Sequence, residues 1–329
     1  MTNHPKELDI HISGGPPEGL MFSMSPDEDD LMSMIDSMQD ITSFGIAGRI
    51  WESTYVLNAF LRRPSEQLTF TPQCPIPSEY FLSSTKTSAG AGAVKEQSST
   101  LDPIRIVELG AGTGLVGIAL AKRLNPSATL MLTDLEEVIP LLEKNVQDTQ
   151  DWRLKSHGSA ASAAWMPSGP SEPASERPST SAHLEVEPLA WGNSSHAARI
   201  LSKGRVDYVL ACDLVYFPEL YPPLLQTLRE ITDLDTRVIF GYKDRAHWKE
   251  MPFWEQFGRY FEMEVVRIER KKSPGTSDDE NEEDEDEQSD IFGYEQDMFI
   301  FVAKKRQDKD ILAGVDDTLT TLMMMQIRY

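Results

Sequence analysis

"RIVELGAGTGLVGIAL", residues 105–120, sets four glycines into eight positions between two apolar runs. The run before them, "IRIVEL" (104–109), is short and rich in β-branched residues, whereas "LVGIALAKRL" after them has a helical period. The glycines therefore form the turn of a strand–turn–helix unit. So bare a backbone suits a phosphate, a dinucleotide or a sulfonium nucleoside, and the spacing separates these ligands. G-x-G-x-x-G does match through Gly112, Gly114 and Gly117, but the turn itself opens at Gly110, directly after Leu109. Counted from Gly110 the pattern is G-x-G-x-G, with Leu115 where a dinucleotide fingerprint has its third glycine. A phosphate-cradling loop ending in Gly-Lys-Ser/Thr is excluded, because Leu115 and Val116 follow Gly114.

Outward from this unit, strands and helices alternate. "ATLMLTD" (128–134) reads as a strand with "VIPLLEKNVQ" as its helix, and "HLEVEPLAW" (183–191) as a third strand ending at Trp191. "VDYVLACD" (206–213) precedes the helix "LYPPLLQTLREIT", and "RVIFGYK" (237–243) precedes the short helix "FWEQFGRYF". "EMEVVRIERKK" and "DMFIFVAKK" (297–305) then read as two strands with only a loop between them. Alternation of this kind predicts an α/β fold with a doubly wound, mostly parallel sheet of about seven strands, and the last pair predicts an antiparallel C-terminal hairpin. In such sheets ligands bind beyond the carboxyl ends of the strands. Asp134 ends the second strand, twenty residues past Gly114, where a carboxylate can accept both hydroxyls of a ribose. Any ribonucleoside cofactor, NAD included, satisfies that criterion.

Composition bounds the rest. The chain has 329 residues, 40% of them hydrophobic, enough for one large core or two small ones. Two cysteines, Cys74 and Cys212, are too few for a disulfide framework and suit a reducing compartment, so a cytoplasmic and nuclear protein is expected. "MTNHPKELDIHISGG" has no apolar stretch behind a basic one, and no run reaches the roughly 18 apolar residues of a membrane span, so neither secretion nor membrane insertion is expected. The formal charge is −22, of which "DDENEEDEDEQSD" (278–290) contributes ten carboxylates. The remainder is still acidic, which argues against a nucleic-acid partner. Residues 1–40 read as an extension and 41–306 as the domain, with low-complexity insertions near 83–100, 154–182 and 273–290 and a tail at 307–329. His183, His196 and His247 lack metal spacing, and no metal is expected.

"VELGAGTGLVGIALA" resembles the cofactor motif of the class I, seven-strand S-adenosylmethionine (SAM) methyltransferases, whose fold is Rossmann-like. "GRIWESTYVLNAFL", "LTDLEEVIPLLEKNV", "PLAWG" and "LACDLVYFPELYPPLLQTL" are similar, more narrowly, to the protein-lysine methyltransferase family of methyltransferase-like proteins. The resemblance implies that Gly110, Ala111, Gly112 and Gly114 face the methionine half of SAM, with Glu108 near its amino end. It implies that Asp134 holds the ribose, that Trp51 and Trp191 lie against the cofactor, with Trp191 beside adenine, and that Cys212 fills a small-residue position there. Trp51 is expected on one helix face with Tyr55 and Ala59. The family commonly has an acidic residue where Ala190 stands. Asp213 and Tyr216, the ends of an Asp-x-x-Tyr motif, would be catalytic: Asp213 orients the amine and takes its proton, and Tyr216 lines the channel.

The activity so implied is methylation of a lysine in an intracellular protein by a monomeric enzyme, with a chaperone, an AAA ATPase or a translation factor as the substrate class. Three alternatives remain at this point: another acceptor (histidine, an amino terminus or a small amine), a non-catalytic scaffold of the same fold, and an NAD-dependent oxidoreductase.

Overall fold

Residues 35–62, 68–82, 101–158, 181–270 and 297–311 are described by a computed structural model. The insertion at 83–99, the interior of 158–181, the acidic run 278–290 and most of the first forty residues lie outside the described residues.

The glycine unit folds as its pattern predicts. Strand β2 (Ile104–Leu109) leads through the turn into helix α2 (Leu115–Arg123). Then come β3 (Ala128–Asp134), α3 (Ile139–Gly158), β4 (His183–Pro188), α4 (Ser194–Ser202), β5 (Tyr208–Cys212), α5 (Tyr221–Ile231), β6 (Arg237–Lys243) and α6 (His247–Tyr260). The main sheet has seven strands in the order β4-β3-β2-β5-β6-β9-β7, where β7 is Phe261–Val265 and β9 is Met298–Lys305. The first five pair in parallel, and β9 runs antiparallel to both β6 and β7. The fold is thus the doubly wound α/β sheet with an antiparallel closing pair.

The period of two along each strand sorts the core onto two faces. Ile106, Leu130, Leu210, Ile239 and Ile300 join one apolar cluster with residues of α2, of α3 and of helix α1 (Ser53–Phe60). Their chain neighbours Val107, Met131, Val209, Phe240 and Phe301 join the other, against α4, α5 and α6. The second face is densely aromatic: Phe240 meets Trp254 edge-on with centroids 5.1 Å apart, and Phe257 stacks on Phe261 at 4.6 Å. Fully burying side chains of this size contributes roughly 1.5–3 kcal/mol each.

Three local expectations are corrected. "EMEVVRIERKK" is two strands, because after Val266, whose N–H donates to the Ile300 carbonyl (2.8 Å), the chain leaves the sheet. β8 (Arg267–Arg270) instead pairs antiparallel with β1 (Leu68–Thr71), a strand too short to announce itself. This ribbon buries Leu68 and Ile268 and sets Phe70 edge-on to Phe60 of α1 (5.4 Å), so covering that helix outweighs extending the hairpin. Trp51 lies two residues before α1, not on its face with Tyr55 and Ala59. Trp191 stands in the turn after β4, which ends at Pro188.

The packed chain also begins upstream of residue 41, since Ile35 and Met38 are buried in the first cluster. Asn145 of α3 fastens that segment: its Nδ2 donates to the carbonyls of Met38 (3.0 Å) and Thr113 (2.9 Å), tying the N-terminal segment to the glycine turn.

Candidate active site

The strand order reverses between β2 and β5, so the switch point of the sheet lies beyond Leu109 and Cys212. Gly110 and Gly112 have φ of +56° and +54°, the left-handed region open to glycine. A Cβ on Gly110 would stand 2.7 Å from Leu214 Cδ2 and 2.9 Å from Trp191 Cζ2, and one on Gly112 would stand 2.9 Å from the Ala47 carbonyl oxygen. The turn is therefore hemmed by the Trp191 indole, by Leu214 and by the N-terminal segment. Gly114 caps α2 and faces Leu142 in the core, and Ala111 donates its N–H to the Thr133 carbonyl (2.9 Å).

Two carboxylates flank the turn. Asp134 is 8% exposed and accepts from the N–H groups of Gly112 and Leu135, each at 2.8 Å. A carboxylate offers about four acceptor positions, so two are left. Burial raises Asp134 to about 6 against the pull of those amides. Glu108 is buried more deeply and accepts from Gly117 N–H (2.9 Å) in the first turn of α2. Burial, reinforced by the Asp134 charge, lifts it to about 8.

The residues after β5 form a second group. Cys212 Sγ lies 3.6 Å from Ser53 Oγ and 3.5 Å from Thr54 Oγ1, and burial holds its thiol far above the ordinary value. A neutral thiol of this kind is a packing group, not a nucleophile. Asp213 has a left-handed φ of +54°, and its side chain is 1% exposed. The carboxylate accepts from the N–H groups of Ser53 (3.2 Å) and Lys243 (3.0 Å) and from both terminal nitrogens of Arg245 (3.0 and 3.2 Å). Burial and the Asp134 carboxylate together hold the Tyr216 phenol above its ordinary value, so it is a neutral hydroxyl. Trp51 donates Nε1–H to the Ile46 carbonyl (3.1 Å) and lies under the guanidiniums of Arg49 and Arg245, 4.5 and 5.1 Å from its ring centre.

The structure thus brings Gly110, Gly112, Asp134 and Trp191 to one place, and Trp51, Asp213 and Cys212 to an adjoining one, with Tyr216 three residues past Asp213 on the same loop. Sequence reasoning missed Arg245, Glu52 and the Ala47 carbonyl. Arg245 alone carried a usable signal, a cation two residues past a strand at the ligand-bearing edge. Ala47 touches the turn through its backbone, which no side-chain pattern reveals.

The profile of the lysine methyltransferase family matches residues 32–179 and 172–259, most of the described chain and the whole of this site. The doubly wound sheet is accordingly the Rossmann-like fold of class I methyltransferases, and the chain belongs to the lysine methyltransferase family. Protein N-lysine methyltransferase METTL21A of Danio rerio is 30% identical over 161 residues, covering 49% of this chain and 59% of that protein. EEF1A lysine methyltransferase 3 of Xenopus tropicalis is 28% identical over 177 residues, covering 54% of this chain and 63% of that one. The chain thus spans less than two thirds of the length of these relatives. Among solved structures, TrmN from Thermus thermophilus is similar at 14% identity and a TM-score of 0.33, covering 62% of this chain and 45% of that one.

Proposed function

We propose that this protein is a SAM-dependent methyltransferase acting on a lysine side chain of another protein. The observation that carries the proposal is the pairing of Gly112 with Asp134. The bare turn donates its N–H to a carboxylate one strand over that keeps two acceptor positions for a cis-diol. The residues fit SAM. Gly110 and Gly112 admit no Cβ, so the turn stays bare backbone, the Trp191 indole lies beside Gly110, and α2 presents its N-terminal amides behind the turn. When bound, SAM supplies an electrophilic methyl group on a sulfonium.

The chain's own residues do the remaining work, which is alignment and exclusion of water. Lysine has an unperturbed pKa near 10.4, and desolvation favours its neutral, nucleophilic form. Tyr216 and Cys212, both held neutral by burial, are suited to line such a path without adding charge. Glu108 fixes the start of α2 by accepting from Gly117. The enzyme acts as a monomer in the cytoplasm and nucleus, a placement supported by two free cysteines.

EEF1A, the substrate named for one relative, is the first acceptor to try. The test is isothermal titration with SAM and with NAD, followed by incubation of the protein with labelled SAM and purified EEF1A or a eukaryotic cell extract. Mass spectrometry then locates the methyl groups. SAM binding together with methyl-lysine in an acceptor is expected. NAD binding without SAM binding, or label only on residues other than lysine, would overturn the proposal.

A further inference from the structure

Arg245 has no role in the methyl transfer itself, yet it joins three elements at the ligand-bearing edge of the sheet. Its guanidinium grips both oxygens of Asp213, and Nη2 also donates to Glu52 Oε2 at 2.7 Å, just before α1. Glu52 in turn pairs with Arg49 (2.9 Å), and the two arginines lie over Trp51. Burial opposes the charge on Arg245, but the carboxylates of Asp213 and Glu52 outweigh it. The fork of five donors on a rigid plane is what permits a bidentate grip and a third bond at once.

This geometry bears on what Asp213 can do. Its four donors are two backbone amides and two guanidinium nitrogens, and they fill the four acceptor positions of a carboxylate. None is left for the proton of an incoming ammonium. What the anchored carboxylate does hold is its own backbone, which has the left-handed φ that residues with a Cβ rarely adopt. That turn sends Leu214 onto Gly110 and leads into Tyr216.

We propose that Asp213 and Arg245 form a single positioning device. Arg245 fastens the start of α1 to the Asp213–Tyr216 loop across the end of β6, and Asp213 acts through that clamp instead of accepting the substrate's proton. The proposal rests on the methyl-transfer reading of the same site. Both side chains are positioning residues, and neither need touch the reacting atoms.

The test is a double-mutant cycle with Arg245→Ala, Asp213→Ala and the combined variant, each first checked for cooperative thermal unfolding. Arg245→Lys is the milder control. Turnover is read with labelled SAM and the proteins of a eukaryotic cell extract as acceptor, SAM affinity by isothermal titration, and loop order by hydrogen exchange at residues 214–217. Because partners in one unit are not additive, each single change should lower kcat by at least ~10-fold, and the double variant should fall within about 2-fold of the worse single one. SAM affinity should change less than kcat, exchange should quicken alike in all three, and Arg245→Lys should recover only part of the loss. Losses that multiply in the double variant would mean that Asp213 acts independently of Arg245 and would overturn the proposal, as would unchanged exchange in Arg245→Ala. The exchange cycle needs neither SAM nor an acceptor. It decides the coupling even if the wild-type protein binds no SAM and labels nothing, the outcome that would instead sink the methyl-transfer reading.

Discussion

Replacing Asp134 by Asn separates what this carboxylate does for a ligand from what it does for the fold. Burial raises Asp134 from 3.8 to about 6, so in the folded protein the proton is held more tightly than in the unfolded chain. Stability therefore falls as pH rises from about 4 through 6 and is flat above, where the full cost of the buried charge is present. At 1.36 kcal/mol per unit, a shift of that size costs about 3 kcal/mol at pH 8. Asn removes this cost. It also turns an NH2 towards one of the two amides, Gly112 or Leu135, leaving that N–H without an acceptor at a cost of roughly 1–3 kcal/mol. The two effects nearly cancel, so the unfolding midpoint at pH 8 should move by only a few degrees. SAM affinity has no such compensation. Two ribose hydroxyls lose a charged acceptor, about 1.5–3 kcal/mol, which weakens Kd roughly 10- to 150-fold. Titration calorimetry and scanning calorimetry at pH 8 measure both. The wild-type affinity should also decline below about pH 6 as Asp134 takes up a proton, and the variant should lose that dependence. A Kd within about 2-fold of wild type would refute the ribose role, as would a weakened Kd accompanied by a midpoint more than ~10 °C lower, which reports damage to the fold.

Three further outcomes are expected. Gly112→Ala forces a Cβ into a left-handed residue and against the Ala47 carbonyl, so thermal denaturation should show a loss of at least about 1–2 kcal/mol and titration a weaker SAM Kd. Glu108→Gln keeps an oxygen for Gly117 N–H but removes a charge that burial disfavours. Because Glu108 is raised from 4.5 to about 8, about 5 kcal/mol, the variant should unfold roughly 10 °C higher at pH 9, with the difference gone below about pH 4.5. Equal midpoints at pH 9 would show that the folded site accommodates the charge at little cost. Trp191→Ala should weaken SAM binding by about 1–3 kcal/mol if the indole stacks on adenine, while a midpoint shift with unchanged Kd would make it a packing residue.

The architecture was legible in the chain because its signals are short-ranged. Alternate residues in β2, β3, β5, β6 and β9 fall on opposite faces of the sheet, and a period of two is visible without knowing what covers either face. Gly110, Gly112 and Asp134 were legible for a related reason. Each sits at the end of a strand, and strand ends at the switch point of a doubly wound sheet meet in space. The split at Val266 was not legible, because it depends on β1 offering a second partner almost two hundred residues upstream. Nor was Trp51, whose neighbours Arg49 and Arg245 come from opposite ends of the domain. The clamp on Asp213 is the sharpest case. Arg245 reaches Glu52 across 193 positions and Asp213 across 32, and its place two residues past a strand marks a cation at that edge without naming either partner. Sequence spacing specified which backbone was bare and which carboxylate faced it. Only the tertiary structure decided which charges were buried, and burial raises Glu108 and Asp134 and leaves the Asp213 carboxylate with every acceptor position filled.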